Sequence, residues 1–315
     1  MNRVPQPPMA VEPHAGGAPP PSTPESAGPP DSAPPQPASR VIRGRRRTAR
    51  IARVAVRGLS LAAFVLLWWL VAAANVIDAQ FLPGPGAVWD AFVRANSWHQ
   101  LAPGVPREVQ GEQNYFLWEH LVASLQRIFA GAGAAIVLGP VVGFVLGTSK
   151  TVAAVVEPYL NFLRALPPLG YIGLLIVWFG IGDTSKIWLL FLAAFPPVVI
   201  ATMTGVHGVS ADRINAARSL GATRLQVTTR VLLPATLPEV LAGIRVAVGF
   251  AWTTVVAAEL NNGIPGIGGL AYFAGQRLDT ALTLACIIVI GITALTLDAA
   301  IKGLGAVVAP WQGRA

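Results

Sequence analysis

The sequence predicts an all-α membrane protein, a six-span helical bundle behind an N-terminal tail, and three observations carry that prediction. Of 315 residues, 53% are hydrophobic and only 12% charged, with a mean hydropathy of +0.56. Soluble chains carry about 25% charged residues. The apolar residues fall in long uncharged blocks, which a water-soluble core does not require. The Lys and Arg residues are unevenly divided between the two sides of those blocks, as they are in membrane proteins.

Residues 1–57 read as a tail and residues 58–315 as the membrane domain. Up to about residue 39 the tail is rich in Pro, Ala, Ser and Gly, with Pro19, Pro20 and Pro21 in a row. Such a composition buries too little apolar area to offset its ordering entropy, so disorder is expected. Arg43, Arg45, Arg46, Arg47, Arg50, Arg53 and Arg57 then directly precede the first apolar block. A cluster there is a juxtamembrane anchor for anionic lipid. The net charge of +8 is concentrated in it rather than spread over a folded basic face, which excludes a nucleic-acid partner. The N-terminal region also reads poorly as a secretory signal, because the first apolar block starts near residue 58, too far in, and is too long.

A helix crossing a hydrocarbon core of about 30 Å needs about 20 residues. Uncharged stretches near that length lie between Arg57 and Asp78, Arg127 and Lys150, Arg164 and Asp183, Lys186 and Asp212, and Asp279 and Asp298. A fifth span in chain order is shorter between its charges, Arg245 and Glu259, so it includes one of them or holds it at an interface. Pro140, Pro196 and Pro197 are tolerable inside membrane helices, where neighbours satisfy freed backbone groups. Gly131, Gly133, Gly139 and Gly143 suit close helix approach. With the N-terminus inside, only Arg94, Arg107, Arg127, Lys186 and Arg277 of the 23 Lys and Arg residues lie outside. The positive-inside rule therefore predicts an inner-membrane protein with both termini in the cytoplasm.

Catalytic and metal chemistry find no support. Cys286 is the single cysteine, and His14, His99, His120 and His207 have no metal-ligand spacing. No G-x-x-x-x-G-K-[ST] pattern occurs, so Gly263, Gly266, Gly268 and Gly269 read as a turn or re-entrant segment on the outer side. No nucleophile–base pair is present, and neither an enzymatic activity nor a cofactor is expected. Glu259 is the one carboxylate embedded near a span. It is either a translocation-path or gate contact, or a group that faces the interface or pairs with another helix. Trp252, near the middle of the same span, is the one tryptophan read as a path candidate; interfacial anchoring and packing account for the others. Asp298 and Lys302 have the spacing of an i, i+4 ion pair. The stretch near 97–118 carries no readable role.

The informative segment lies between spans four and five. Ser210 is placed to cap a short helix that Gly221 ends in a left-handed conformation. Thr223 and Gln226 form a T-x-x-Q capping box opening a second helix. Pro234 is placed to bound that helix. Connectors in bundles are usually only a few residues long, so a capped helix–turn–helix in this place reads as a docking surface.

Asn215-Ala216-Ala217, then Gly221-Ala222, then Leu233-Pro234 resemble the EAA loop of permease subunits in binding-protein-dependent ABC importers, with Asn215 where the family has glutamate. Phe81-Leu82-Pro83-Gly84-Pro85, Arg164-Ala165-Leu166-Pro167-Pro168-Leu169, Trp178-Phe179-Gly180-Ile181-Gly182 and Ala257-Ala258-Glu259-Leu260 resemble the taurine, sulfonate and nitrate branch. The resemblance implies a permease-type bundle whose cytoplasmic loop couples to a separate ATP-binding cassette subunit, which binds the ATP. It implies an extracytoplasmic solute-binding protein and a second, identical permease copy as further partners. Glu239 and the terminal Pro310-Trp311-Gln312-Gly313 resemble taurine permeases, so taurine or a related alkanesulfonate is the expected substrate. Nitrate, cyanate-type anions and thiamine-precursor pyrimidines stay open. A secondary transporter, the rival from another class, would need a coupling-ion site and usually internal repeats, and neither is visible.

Overall fold

In lipid, backbone polar groups must be satisfied within the chain, so uncharged blocks of this length fold as helices. The computed structural model describes residues 38–100 and 105–311, and nearly all of the stretch expected to be disordered lies outside them. By contact the chain divides into Met1–Ser60 and Leu61–Ala315. Helix α1, Ala38–Ala73, begins well before the first apolar block and carries the arginine cluster. Within the tail of residues 1–57, the basic stretch from Ala38 on is helical, for a simple reason. No proline interrupts Ala38–Ala73, and alanine, leucine and arginine are among the better helix formers.

After α1 come a short helix α2 (Pro85–Ala95) and an antiparallel pair, β1 (Trp98–Gln100) with β2 (Glu108–Gln110), in which His99 faces Val109. The membrane helices follow: α3 (Leu117–Thr148), α4 (Lys150–Ala165), a 3₁₀ turn leading into α5 (Ile172–Phe179), and α6 (Asp183–His207). Next are the loop helix α7 (Ala211–Ser219), α8 (Arg224–Val227), a π-turn (Thr228–Leu232) and α9 (Leu233–Ala258). Helices α10 (Ile267–Gln276) and α11 (Thr280–Val308) complete the described residues.

Among the described residues, five helical segments are long and apolar enough to span, and a sixth arises if α4 and the Pro168–Phe179 segment count as one, bent by 97°. The third expected span, Arg164 to Asp183, is thus not a straight helix of its own. Leu166-Pro167-Pro168 breaks it, because a proline lacks the N–H and pushes its predecessor out of the α region. The second span starts at Leu117 rather than after Arg127, since Arg127 is buried by partners within the bundle.

Helix α6 lies at the centre, packed chiefly against α3 and α9. Ile128, Ala132 and Ala135 of α3 meet Leu190, Ala194 and Val198 of α6 and Ala247, Ala251 and Val255 of α9. The approach of α3 to α6 depends on small residues on the i, i+4 ridge. A Cβ at Gly143 would stand 2.5 Å from the Val199 carbonyl oxygen, and one at Gly131 2.5 Å from that of Ile187. Gly139 and Gly147 complete the ridge, whereas Gly133 meets nothing and faces away. Gly133 was expected at the contact, and Gly147 was not.

Candidate functional site

The helix–turn–helix at one end of the bundle is built from backbone caps rather than from a core. Helix α7 has no buried residue, and Ser210 occupies its N-cap position without a side-chain hydrogen bond. At its other end Gly221 adopts φ +81°. The Gly221 N–H donates to the Arg218 carbonyl at 2.9 Å and the Ala222 N–H to that of Ala217 at 3.1 Å. These two bonds are a Schellman motif, and its left-handed residue favours glycine. The capping box forms as expected: Thr223 N–H donates to Gln226 Oε1 at 2.8 Å, and Gln226 N–H donates to Thr223 Oγ1 at 3.3 Å.

Asn215, Ala216 and Gly221 are exposed, Ala217 and Ala222 half-buried. Leu220, 89% exposed, and Leu225 carry apolar surface on the same turn. Leu233, exposed, and Pro234, half-buried, follow at the start of α9. Pro234 does not bound the helix, because Arg224–Ala258 runs on as one 35-residue span. The π-turn supplies the reason: the Leu233 N–H reaches back five residues to the Thr228 carbonyl, and the widened turn accommodates the proline that follows.

The opposite end holds a buried ionic clasp. Glu259 is 0% exposed, Arg127 5% and Lys186 3%. Glu259 Oε1 accepts from Arg127 Nη1 and from Ser124 Oγ, both at 2.7 Å, while Oε2 accepts from the Gly268 N–H at 2.8 Å. The same guanidinium donates from Nε to Asp183 Oδ1 and from Nη2 to the Pro265 carbonyl, each at 2.8 Å. Lys186 Nζ donates to the Asn262 carbonyl at 2.6 Å. His120 Nδ1 lies 3.0 Å from the Gly266 N and 3.2 Å from the Gly266 carbonyl oxygen, and its Nε2 lies 3.1 Å from the Glu112 carbonyl. The N-terminal third of α3, the first turn of α6, the end of α9 and the 262–268 segment are thereby joined through one carboxylate and one guanidinium.

The glycines after Glu259 make the close wrap feasible. A Cβ at Gly266 would lie 2.3 Å from the Gly263 carbonyl oxygen, and one at Gly268 2.7 Å from Val256 Cα. Arg127, Lys186, Asp183, Ser124 and His120 were absent from the expected site. The available signal was that two of the five outer cations, Arg127 and Lys186, sit at the edges of apolar blocks where charge is costly without a partner. Trp252 lies apart from the clasp, in the α3–α6–α9 core with Ile128 and Leu190. Its Nε1–H is buried with no acceptor among the described residues.

Residues 135–314 match the family described as binding-protein-dependent transport system inner membrane component. The chain is 41% identical to the taurine transport system permease protein TauC of Escherichia coli, over 81% of this chain and 88% of that one. It is 32% identical to the nitrate import permease protein NrtB of Synechococcus elongatus, over 78% and 87%. A chain of the MetNI methionine ABC transporter, 20% identical, superposes with a TM-score of 0.53 over 61% of this chain and 95% of that one, so the two share the fold. The chain belongs to the binding-protein-dependent inner-membrane permeases: it is the permease subunit of an ABC importer, a multi-pass membrane protein and not an enzyme.

Proposed function

We propose that the chain forms, with an identical copy, the path by which an importer carries taurine or a related alkanesulfonate inward, using ATP bound and hydrolysed by a separate subunit. The observation that carries the substrate is the identity to the taurine permease, higher than that to the nitrate permease and sustained over most of both chains. In this reading both termini are cytoplasmic and the 211–227 helix–turn–helix docks on the ATPase. The grouping of charge supports that orientation. Arg94, Arg107 and Arg277 line one cavity, and Arg127 and Lys186 lie in the clasp, all at the end away from the loop.

The geometry also suggests how the parts divide the work. A loop stiffened by a Schellman motif and a capping box passes a push on α7 to α8, and the span from Arg224 to Ala258 carries it across the membrane. The clasp holds the far ends of α3, α6 and α9 together, so the push tilts a block instead of bending one helix. Glu259 then acts within that block, and Trp252, buried in the core with an indole N–H that has no acceptor among the described residues, is the candidate to meet an anion when the core opens. Ligand binding by the solute-binding protein of the same importer tests the substrate. Micromolar or tighter taurine affinity supports it, and tight binding of nitrate or a pyrimidine with no response to taurine overturns it.

A further inference from the structure

Near the loop end of the bundle, α9, α11 and the following Ala309–Pro310 line a half-open cavity of about 320 Å³ that the transport reading does not use. Arg245 and Lys302 both line it, with Leu241, Ile301 and Pro310 among the apolar walls. The two cations are held side by side by one carboxylate. Arg245 Nε donates to Asp298 Oδ1 at 2.9 Å, and Lys302 Nζ to Asp298 Oδ2 at 2.5 Å. Asp298 does not itself line the cavity. The cavity therefore meets two cations with donors to spare, while the carboxylate satisfies one positive charge from behind and leaves one net.

Depth narrows the chemistry. From Thr280 to Lys302 helix α11 rises about 33 Å, slightly more than the hydrocarbon core of about 30 Å. The cations thus reach headgroup level in the leaflet on the loop side, while Leu241 and Ile301 lie among the apolar walls. A small soluble anion would gain nothing from those walls, and a zwitterionic headgroup would bring its own cation against Arg245 and Lys302. We propose that this cavity binds the phosphate of an anionic phospholipid, one per chain, whose acyl chains lie along the α9–α11 seam. The bound lipid would brace α9, the span that follows the loop, whatever solute the importer carries.

Native mass spectrometry of the full-length chain in detergent, titrated with phosphatidylglycerol or with phosphatidylcholine, tests this. The arginine cluster of α1 is common to every sample, so the readout is the difference between variants. The wild type should retain one additional phosphatidylglycerol with about fivefold preference over phosphatidylcholine, the factor expected for one net cation at a membrane surface. The triple variant R245Q/D298N/K302Q, which leaves no orphaned carboxylate, should lose that preference, and R245K should keep it. Millimolar inorganic phosphate should not displace the lipid. Equal retention of the two lipids by the wild type, or an unchanged preference in the triple variant, would overturn the proposal. Displacement by inorganic phosphate alone would overturn the lipid assignment in favour of a free-anion site. If the triple variant does not insert, K302Q, which leaves Arg245 paired with Asp298 and no net cation at the cavity, should show the same loss, and an unchanged preference there overturns the proposal.

Discussion

The two ends of the bundle are stabilised by opposite means. The helix–turn–helix from Ala211 to Val227 buries almost nothing, and its shape comes from backbone hydrogen bonds within a few residues of one another. The clasp buries Glu259, Arg127 and Lys186 and joins residues more than a hundred positions apart in sequence. An exposed surface held by local caps is free to meet a partner and contributes little to stability. A buried charge network contributes little to recognition, yet cannot lose one member cheaply, because the remaining charge stays in an apolar surrounding.

Glu259→Ala should give the largest effect. It removes the buried carboxylate partner of Arg127 and leaves that guanidinium only the exposed Asp183 carboxylate and the Pro265 carbonyl, a loss of up to about 3–5 kcal/mol for a buried pair broken on one side. The expected outcome is a sharp fall in folded protein in the membrane and in thermal stability in detergent. A variant that is as stable as wild type, yet inactive in uptake, would move Glu259 from the clasp to the translocation path.

Gly221→Val should do the reverse, abolishing uptake while insertion and bundle stability change little. A β-branched residue at φ +81° is strained by roughly 1–2 kcal/mol, and that strain falls on a turn with open space around it. Uptake and ATPase co-purification are the measurements, and wild-type values for both would remove the loop from the coupling path. Thr223→Ala should act in the same direction but more weakly. It removes one side of the capping box, worth about 1 kcal/mol locally, and should lower uptake partially with an unchanged melting temperature for the bundle. A variant beginning at Arg40, which keeps the arginine cluster, should show the smallest effect of all, with uptake at the wild-type level. Lost uptake at normal membrane abundance would give the deleted segment a task of its own.

The contrast also explains what could be read in advance. Gly221, Thr223 and Gln226 were legible because caps and turns are properties of four to six consecutive residues. Helix–glycine–helix order, the family pattern from Asn215 to Ala222 and the apolar blocks are equally local. Pro234 misled for the same reason: a rule about one residue and its helix cannot include a π-turn five residues wide immediately before it. Gly133 and Gly147 exchanged places because a list of glycines does not say which face of α3 meets α6.

By itself, the sequence determined that the chain lives in lipid, which blocks become helices, the capped loop and the family. Each depends on composition or on short-range hydrogen bonding, which neighbours along the chain decide. Only the tertiary structure decided that Arg127 and Lys186 are buried with Glu259 rather than exposed at the surface. It likewise decided that Arg245 and Lys302 share Asp298, and that the chain bends through 97° between α4 and the Pro168–Phe179 segment. Those outcomes follow from which helices meet and at what depth. A buried charge is tolerable only where a distant partner is brought within hydrogen-bond reach.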